Sequence, residues 1–140
     1  MQTMLAVVRQ DVFERESVRV LRRVGRVGDV LDWNKYVSRN PRLEKLELGD
    51  RILLVTVRPD GELWVCALYE DIQWNPGGYW MAGKKNSVRV SRITSLGPRL
   101  RFVDRKPILM VKGKTGQSLQ TPGILDSSSA DRISKAIRVG

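Results

Sequence analysis

Leu46-Glu47-Leu48-Gly49-Asp50-Arg51-Ile52-Leu53-Leu54-Val55-Thr56-Val57 is the stretch on which the fold turns. Arg51 to Val57 is rich in aliphatic and β-branched residues. Gly49-Asp50 bounds it on one side and Pro59-Asp60-Gly61 on the other, so it reads as a strand closed by a turn. Glu62 to Glu70 is its hairpin partner. There Leu63, Val65, Ala67 and Tyr69 alternate with Trp64, Cys66 and Leu68. Both faces are largely apolar, which predicts a central strand.

On the amino-terminal side, Met4 to Arg9 reads as a first strand. Asp11 to Val24 carries Val12, Phe13, Val18, Leu21 and Val24 at helical spacing, and Gly25 and Gly28 end it. Asp29 to Trp33 is a short irregular segment, and Asn40-Pro41 marks a turn. Further along, Asn75-Pro76-Gly77-Gly78 is a loop. Ser87 to Thr94 alternates as a strand, with Val88, Val90 and Arg92 on one side. Gly97-Pro98 turns the chain. Leu100–Val103 and Ile108–Val111 read as two short strands, and residues 113–123 as a polar, flexible stretch. Ser128-Ser129-Ala130-Asp131 resembles a capping box opening a helix with Ile133, Ala136 and Ile137 on one face. About six short strands with frequent turns and peripheral helices predict an α+β fold, a small mixed β-barrel. Its 140 residues form one domain, residues 1–140.

Hydrophobic residues make up 41% and charged ones 29%, a globular balance. There is no histidine. That excludes a Ser-His-Asp triad, a Cys-His dyad and imidazole metal ligands. The lone Cys66 has no partner for an intramolecular disulfide and reads as a buried, inert thiol, which fits a reducing cytoplasm. No stretch approaches the roughly 20 apolar residues of a membrane span, and the amino terminus lacks the basic start of a signal peptide. A cytoplasmic protein with no membrane partner is expected.

Lys and Arg number 25 against 15 Asp and Glu, for a net charge of +10. Residues 1–50 sum to +2, residues 51–80 to −2, and residues 81–140 carry thirteen basic against three acidic residues. Crowded like charges destabilise a fold unless an anionic partner offsets them. A solvated basic surface would share this composition. The functional reading is a footprint on a phosphate backbone, made by Lys84, Lys85, Arg89 and Arg92, then Arg99, Arg101, Lys112 and Lys114.

The aromatics cluster. Trp33 and Tyr36 share one connection, while Trp74, Tyr79 and Trp80 flank the glycine-rich loop. Core packing would account for any one of them. A base pocket formed by Trp33, Asn34, Trp74, Asn75, Tyr79 and Trp80 is the functional alternative, the rings stacking on an extruded or single-stranded base. Asn34, Asn75 and Asn86 are candidate readers of base edges. Trp64 and Tyr69 read as strand core.

Catalytic constellations are weak. Gly113-Lys114-Thr115 lacks the upstream glycine of a phosphate-binding loop, since position 108 is Ile, although Lys112 and Lys114 could touch phosphates. Glu70 and Asp71 would point to opposite faces of a strand. Asp29 and Asp32 could approach one another, but ion pairing with Arg22, Arg23 or Arg26 is the better reading. No enzyme activity and no cofactor are expected.

The run from Leu46 to Val55, its turn, and Leu63-Trp64-Val65-Cys66-Ala67-Leu68 resemble the central hairpin of PUA-like barrels, most closely the EVE and ASCH types. Those domains share a Gly-Asp step into an apolar strand beside the ligand groove. The likeness covers residues 43–70 and extends loosely to 87–94. Only Gly49 and Asp50 carry over residue by residue, and the first strand lacks the Tyr-Trp pair of many EVE domains. The resemblance implies a β-barrel that binds RNA or modified bases in DNA, often beside an effector protein, with Trp33 and Asn34 in the pocket-forming connection. The expected function is therefore a non-enzymatic nucleic-acid-binding module reading a modified or flipped base, with DNA preferred slightly to RNA. A protein-interaction adaptor subunit binding an acidic partner is the alternative.

Overall fold

The computed structural model describes residues 1–111 and 115–138, without the side chains of Gln117 and Arg138. The chain folds as α+β, with strands β1 (Thr3–Val7), β2 (Lys35–Tyr36), β3 (Arg51–Val57), β4 (Leu63–Tyr69), β5 (Gln73–Asn75), β6 (Tyr79–Met81), β7 (Ser91–Arg92) and β8 (Gly123–Ile124). Helices α1 (Gln10–Leu21) and α3 (Ser127–Arg138) are long, and α2 (Thr115–Ser118) is a single turn. The strands form a five-stranded sheet, β7-β4-β3-β1-β8, and a three-stranded one, β2-β6-β5. Among the described residues these are two open sheets, where a single barrel of about six strands was expected.

Strand β1 runs parallel to β3, and β3 pairs antiparallel with β4. Apolar runs in these three strands follow from burial on both sides. Met4, Ala6, Ile52 and Leu54 face a cluster containing Phe13 of α1, Leu31 and Trp33. Leu5, Leu53, Val55 and Val65 face a second cluster containing Leu100, Ile108, Ile133 and Ile137. The central sheet is therefore covered by α1 and its following segment on one side, and by the carboxy-terminal third on the other.

Both hairpins use the same loop. Pro59-Asp60-Gly61 and Pro76-Gly77-Gly78 are three-residue connections that begin with proline and end with a glycine at φ of +90° and +97°. A type I turn followed by one left-handed residue matches the twist of the strands it joins, and glycine adopts that conformation without steric cost. The loop read at 75–78 is thus the tip of the β5–β6 hairpin, with Asn75 ending its first strand.

Strict alternation in β4 breaks at a β-bulge. Leu54 pairs with Ala67 and Val55 with Val65, so Cys66 is the extra residue. Cys66 and Ala67 consequently lie on the same side, and beyond them the phase is inverted. Tyr69 joins Trp64 on the α1 side, whereas Leu63, Val65 and Leu68 face the opposite cluster.

Other expectations shift in position. Helix α1 ends at Arg22, whose left-handed backbone sends its N–H to Val18 O, before Gly25 is reached. Gly25 is instead packed under Phe13. The alternation from Ser87 holds through Val90 and then fails, leaving Arg92 exposed and only Ser91–Arg92 paired as a strand. Leu100–Val103 makes one isolated bridge, Phe102 to Leu125, and Ile108–Val111 makes no strand. The stretch read as flexible contains α2 and the first residue of β8, which pairs with β1. The cap of α3 is Asp126, whose Oδ1 accepts from Ser129 N at 2.8 Å. Its buried face is Ala130, Ile133 and Ile137, while Ala136 is exposed.

Candidate functional site

Gly49-Asp50 works as an anchor. Gly49 adopts φ +87°, and the buried Asp50 carboxylate accepts from Gln2 N at 2.9 Å, Gln2 Nε2 at 3.0 Å and Glu47 N at 2.9 Å. Burial opposes its ionisation, but these hydrogen bonds outweigh that and hold its carboxyl below the usual range. The start of β1 is thereby tied to the start of β3. The α1 side of these strands then forms the floor of a cleft.

That cleft has a volume of about 530 Å³. Leu54, Tyr69 and Trp33 line its base, and one wall is α1, presenting Val12, Arg15, Glu16 and Arg19. Those four recur at helical spacing, so they share one face. The opposite wall is Asp32 to Ser38. Phe13 supports the floor, edge-on to both Trp33 and Trp64 with ring centroids 6.1 Å apart in each case. Arg58 lies over Phe13 and Trp64, 4.8 and 5.0 Å from their centroids, with Glu14 as its ion-pair partner at 3.3 Å.

Tyr69 donates its hydroxyl to Lys35 O at 3.2 Å, fixing the backbone of β2. Burial pushes both the Tyr69 and the Tyr36 phenols up, with a hydrogen bond from Ser38 working against this at Tyr36. Both are neutral near pH 7 and able to donate. Trp33 is only 8% exposed, and its Nε1 has no hydrogen-bond partner among the described residues. An unsatisfied buried donor costs about 1–3 kcal/mol. Arg9 and Arg19 are paired with Asp11 and Glu16, whereas Arg15 forms no ion pair among the described residues.

A second cleft of about 540 Å³ lies beside the first, between the 3-10 helix Pro41–Lys45 and the β5–β6 hairpin. Tyr36 and Ser38 line both. Trp74, Tyr79 and Trp80 line the second, with Trp74 edge-on to Trp80 at 5.2 Å and 71°. Lys35, of the first cleft, holds its Nζ 5.6 Å from the Tyr79 ring centre.

The residues expected to form one pocket are therefore divided. Trp33 and Asn34 line the first cleft, and Trp74, Tyr79 and Trp80 the second. Asn75 lines neither. Its Oδ1 accepts from Gly77 N at 2.7 Å and its Nδ2 meets Met81 Sδ, so it shapes the turn. Asn86 is buried, giving Nδ2 to Leu31 O and taking Leu68 N and Val88 N at Oδ1, so it cannot reach a base. Of the three candidate amides, Asn34 alone lines a cleft.

Lys84, Lys85, Arg89, Arg92, Arg99 and Arg101 are exposed and line neither cleft. Arg92 pairs with Glu62 at 2.9 Å, Arg89 donates to Gly28 O, and Arg101 donates to Pro98 O and Leu100 O. Lys112 and Lys114 lie outside the described residues. The cations at the first cleft are Arg9, Arg15, Arg19 and Lys35, from the half of the chain with little net charge. Summing charge by segment hides them, because Asp11 and Glu16 cancel Arg9 and Arg19. The helical spacing of Val12, Arg15, Glu16 and Arg19 was the signal that could have found them.

Of the acidic residues singled out, Asp29 is committed to an ion pair. Arg23 grips Asp29 with two hydrogen bonds at 2.8 Å and lowers its pKa to about 2, as the ion-pair reading anticipated. Cys66 is buried, and desolvation pushes its thiol well up. Among the described residues no cluster of acidic or sulfur ligands could hold a metal, and no helix is long and apolar enough to cross a membrane. Comparisons with family models, with curated proteins and with solved structures returned no match.

Proposed function

We propose that this chain is a PUA-like, non-enzymatic nucleic-acid-binding module that takes an unstacked base into the Trp33 cleft. The observation that carries this reading is the cleft itself, lined by Trp33 and Tyr36 and bordered by the cations Arg9, Arg15, Arg19 and Lys35. The Trp33 N–H is itself buried, so a carbonyl oxygen or ring nitrogen on a base edge would reach it only if the ring shifts on binding. The half-buried Tyr36 and the exposed part of Trp33 supply ring surface, on which any base can stack, over a floor that the buried Tyr69 supports. Arg15 and Lys35 would hold the flanking phosphates. The cleft volume lies within the roughly 300–1,000 Å³ of small-ligand sites. A flipped or single-stranded base in DNA is the preferred ligand.

Fluorescence-anisotropy titration of single-stranded and duplex oligonucleotides, DNA and RNA, with and without modified cytosine, tests this across salt concentrations. Binding should be tighter to single strands or to duplexes with an unpaired base, and log K should fall linearly with log salt. Absence of binding at low salt overturns the reading, as does binding with no salt slope. Stable co-purification with an acidic protein and no retention of oligonucleotide would favour an adaptor subunit instead.

A further inference from the structure

We infer that the ligand strand occupies two adjoining subsites, with consecutive bases separated by Tyr36. This rests on the reading of the Trp33 cleft as a base pocket. The two clefts are of nearly equal volume, about 530 and 540 Å³, and they meet along the segment from Tyr36 to Ser38. Each has its own aromatic furniture. Trp33 and Tyr69 belong to the first, Trp74 and Tyr79 to the second, and Tyr36 borders both.

Trp74 is the informative residue. The residue is 52% exposed although it sits directly opposite Trp80 in the β5–β6 pair. Trp80 is buried and meets Trp74 edge-on, which leaves a large face of Trp74 towards solvent at the second cleft. A half-exposed tryptophan braced by a second one is a stacking platform, and successive aromatic platforms along a groove are how single strands are held without sequence preference. The turn that follows it is stiffened by Pro76 and by the hydrogen bond from Gly77 N to Asn75 Oδ1 at 2.7 Å. Trp74 lies within β5, two residues before this turn.

The connecting phosphate would cross the Tyr36–Ser38 ridge. Cations bracket that ridge, Lys35 lining the first cleft and Arg39 the second. Lys35 reaches from one towards the other, its ammonium 5.6 Å from the Tyr79 ring. Two recesses, each with room for a base, and a cation-flanked ridge between them suit a dinucleotide step of a single strand. A helical duplex cannot present two adjacent bases this way without extruding both.

The test is a length series of thymidine monophosphate, the thymidine dinucleotide and a thymidine hexamer, titrated against the wild-type protein, Trp33→Phe and Trp74→Ala. Because Trp74 is half exposed, its replacement should leave the fold intact, checked by circular dichroism. Affinity should rise roughly tenfold or more from monophosphate to dinucleotide, and Trp74→Ala should erase that step while sparing monophosphate binding. Equal affinity for the two in the wild type, or an unchanged step in Trp74→Ala, overturns the second subsite and leaves the base pocket standing. No binding of any of the three, or indifference to Trp33→Phe throughout, overturns the base pocket and the second subsite with it.

Discussion

The ring of Phe13 meets Trp33 edge-on, with centroids 6.1 Å apart and planes at 76°. Helix α1, which walls the first cleft, and the indole on its floor are therefore one packed unit. Phe13 is fully buried and also touches Trp64 and Arg58, so the unit extends to the far strand of the hairpin. Phe13→Ala should cost about 3–5 kcal/mol in urea unfolding and lower affinity for oligonucleotides through a displaced Trp33.

Trp33→Phe separates the donor from the ring. Removing a buried donor that has no partner among the described residues relieves a cost that offsets the packing lost with the smaller ring, so stability should change by no more than about 1–2 kcal/mol. Oligonucleotide affinity should fall roughly fivefold or more. A variant equally affected in stability and binding would show that Trp33 acts by packing alone.

Charge at the cleft should matter more than charge along the chain. Arg15→Ala removes a cation without an ion pair at the rim and should reduce the slope of log K against log salt by about 1. Arg92→Ala removes a charge already matched by Glu62, and its slope should stay at the wild-type value. Anisotropy titrations at four salt concentrations would read both.

Asp50→Ala leaves Gln2 N and Glu47 N without their acceptor, while Gln2 Nε2 keeps only Lys45 O at 3.0 Å. The cost should be about 2–3 kcal/mol by thermal unfolding, with faster hydrogen exchange at the amides of Gln2 and Glu47. Asp50→Asn keeps one acceptor oxygen and should cost less.

Acid should weaken the fold through Asp29. Its pKa falls from an ordinary 3.8 to about 2 because Arg23 donates two hydrogen bonds to it. A depressed carboxyl contributes stability that is complete above the unfolded value and is lost as pH falls towards the folded one. Between pH 4 and pH 2 wild-type stability should therefore drop by about 1 kcal/mol more than that of Asp29→Asn, allowing for solvent screening of the half-exposed Arg23. Parallel stability curves for the two proteins would remove Asp29 from the account.

Local signals suffice for the central hairpin. Arg51 to Val57 is a strand as expected, and Leu63 to Tyr69 is its partner across Pro59-Asp60-Gly61. Proline and a left-handed glycine impose the turn, and aliphatic content imposes the strands, within a few residues of one another. The short strands were different. Leu100–Val103 has the composition of a strand but finds only one bridging partner, and Gln73–Asn75 becomes a strand because Tyr79–Met81 lies beside it. A strand of two or three residues exists through its neighbour, and neighbours are not written in the segment itself.

The sequence by itself determined the central hairpin, the first strand and helix, the burial of Cys66, an arginine partner for Asp29 and the absence of histidine chemistry, while the structure chose Arg23 among three neighbouring arginines. Tertiary structure alone decided where the Trp33 cleft lies. One bulged residue, Cys66, inverts the phase of β4 and delivers Tyr69 to the cleft, and alternation counted along the chain cannot foresee it. Net charge is likewise a sum over sequence, whereas a ligand meets charges by distance. The thirteen cations after residue 80 dominate the sum, yet the cations at the Trp33 cleft come from α1 and β2, because helix packing brings them there.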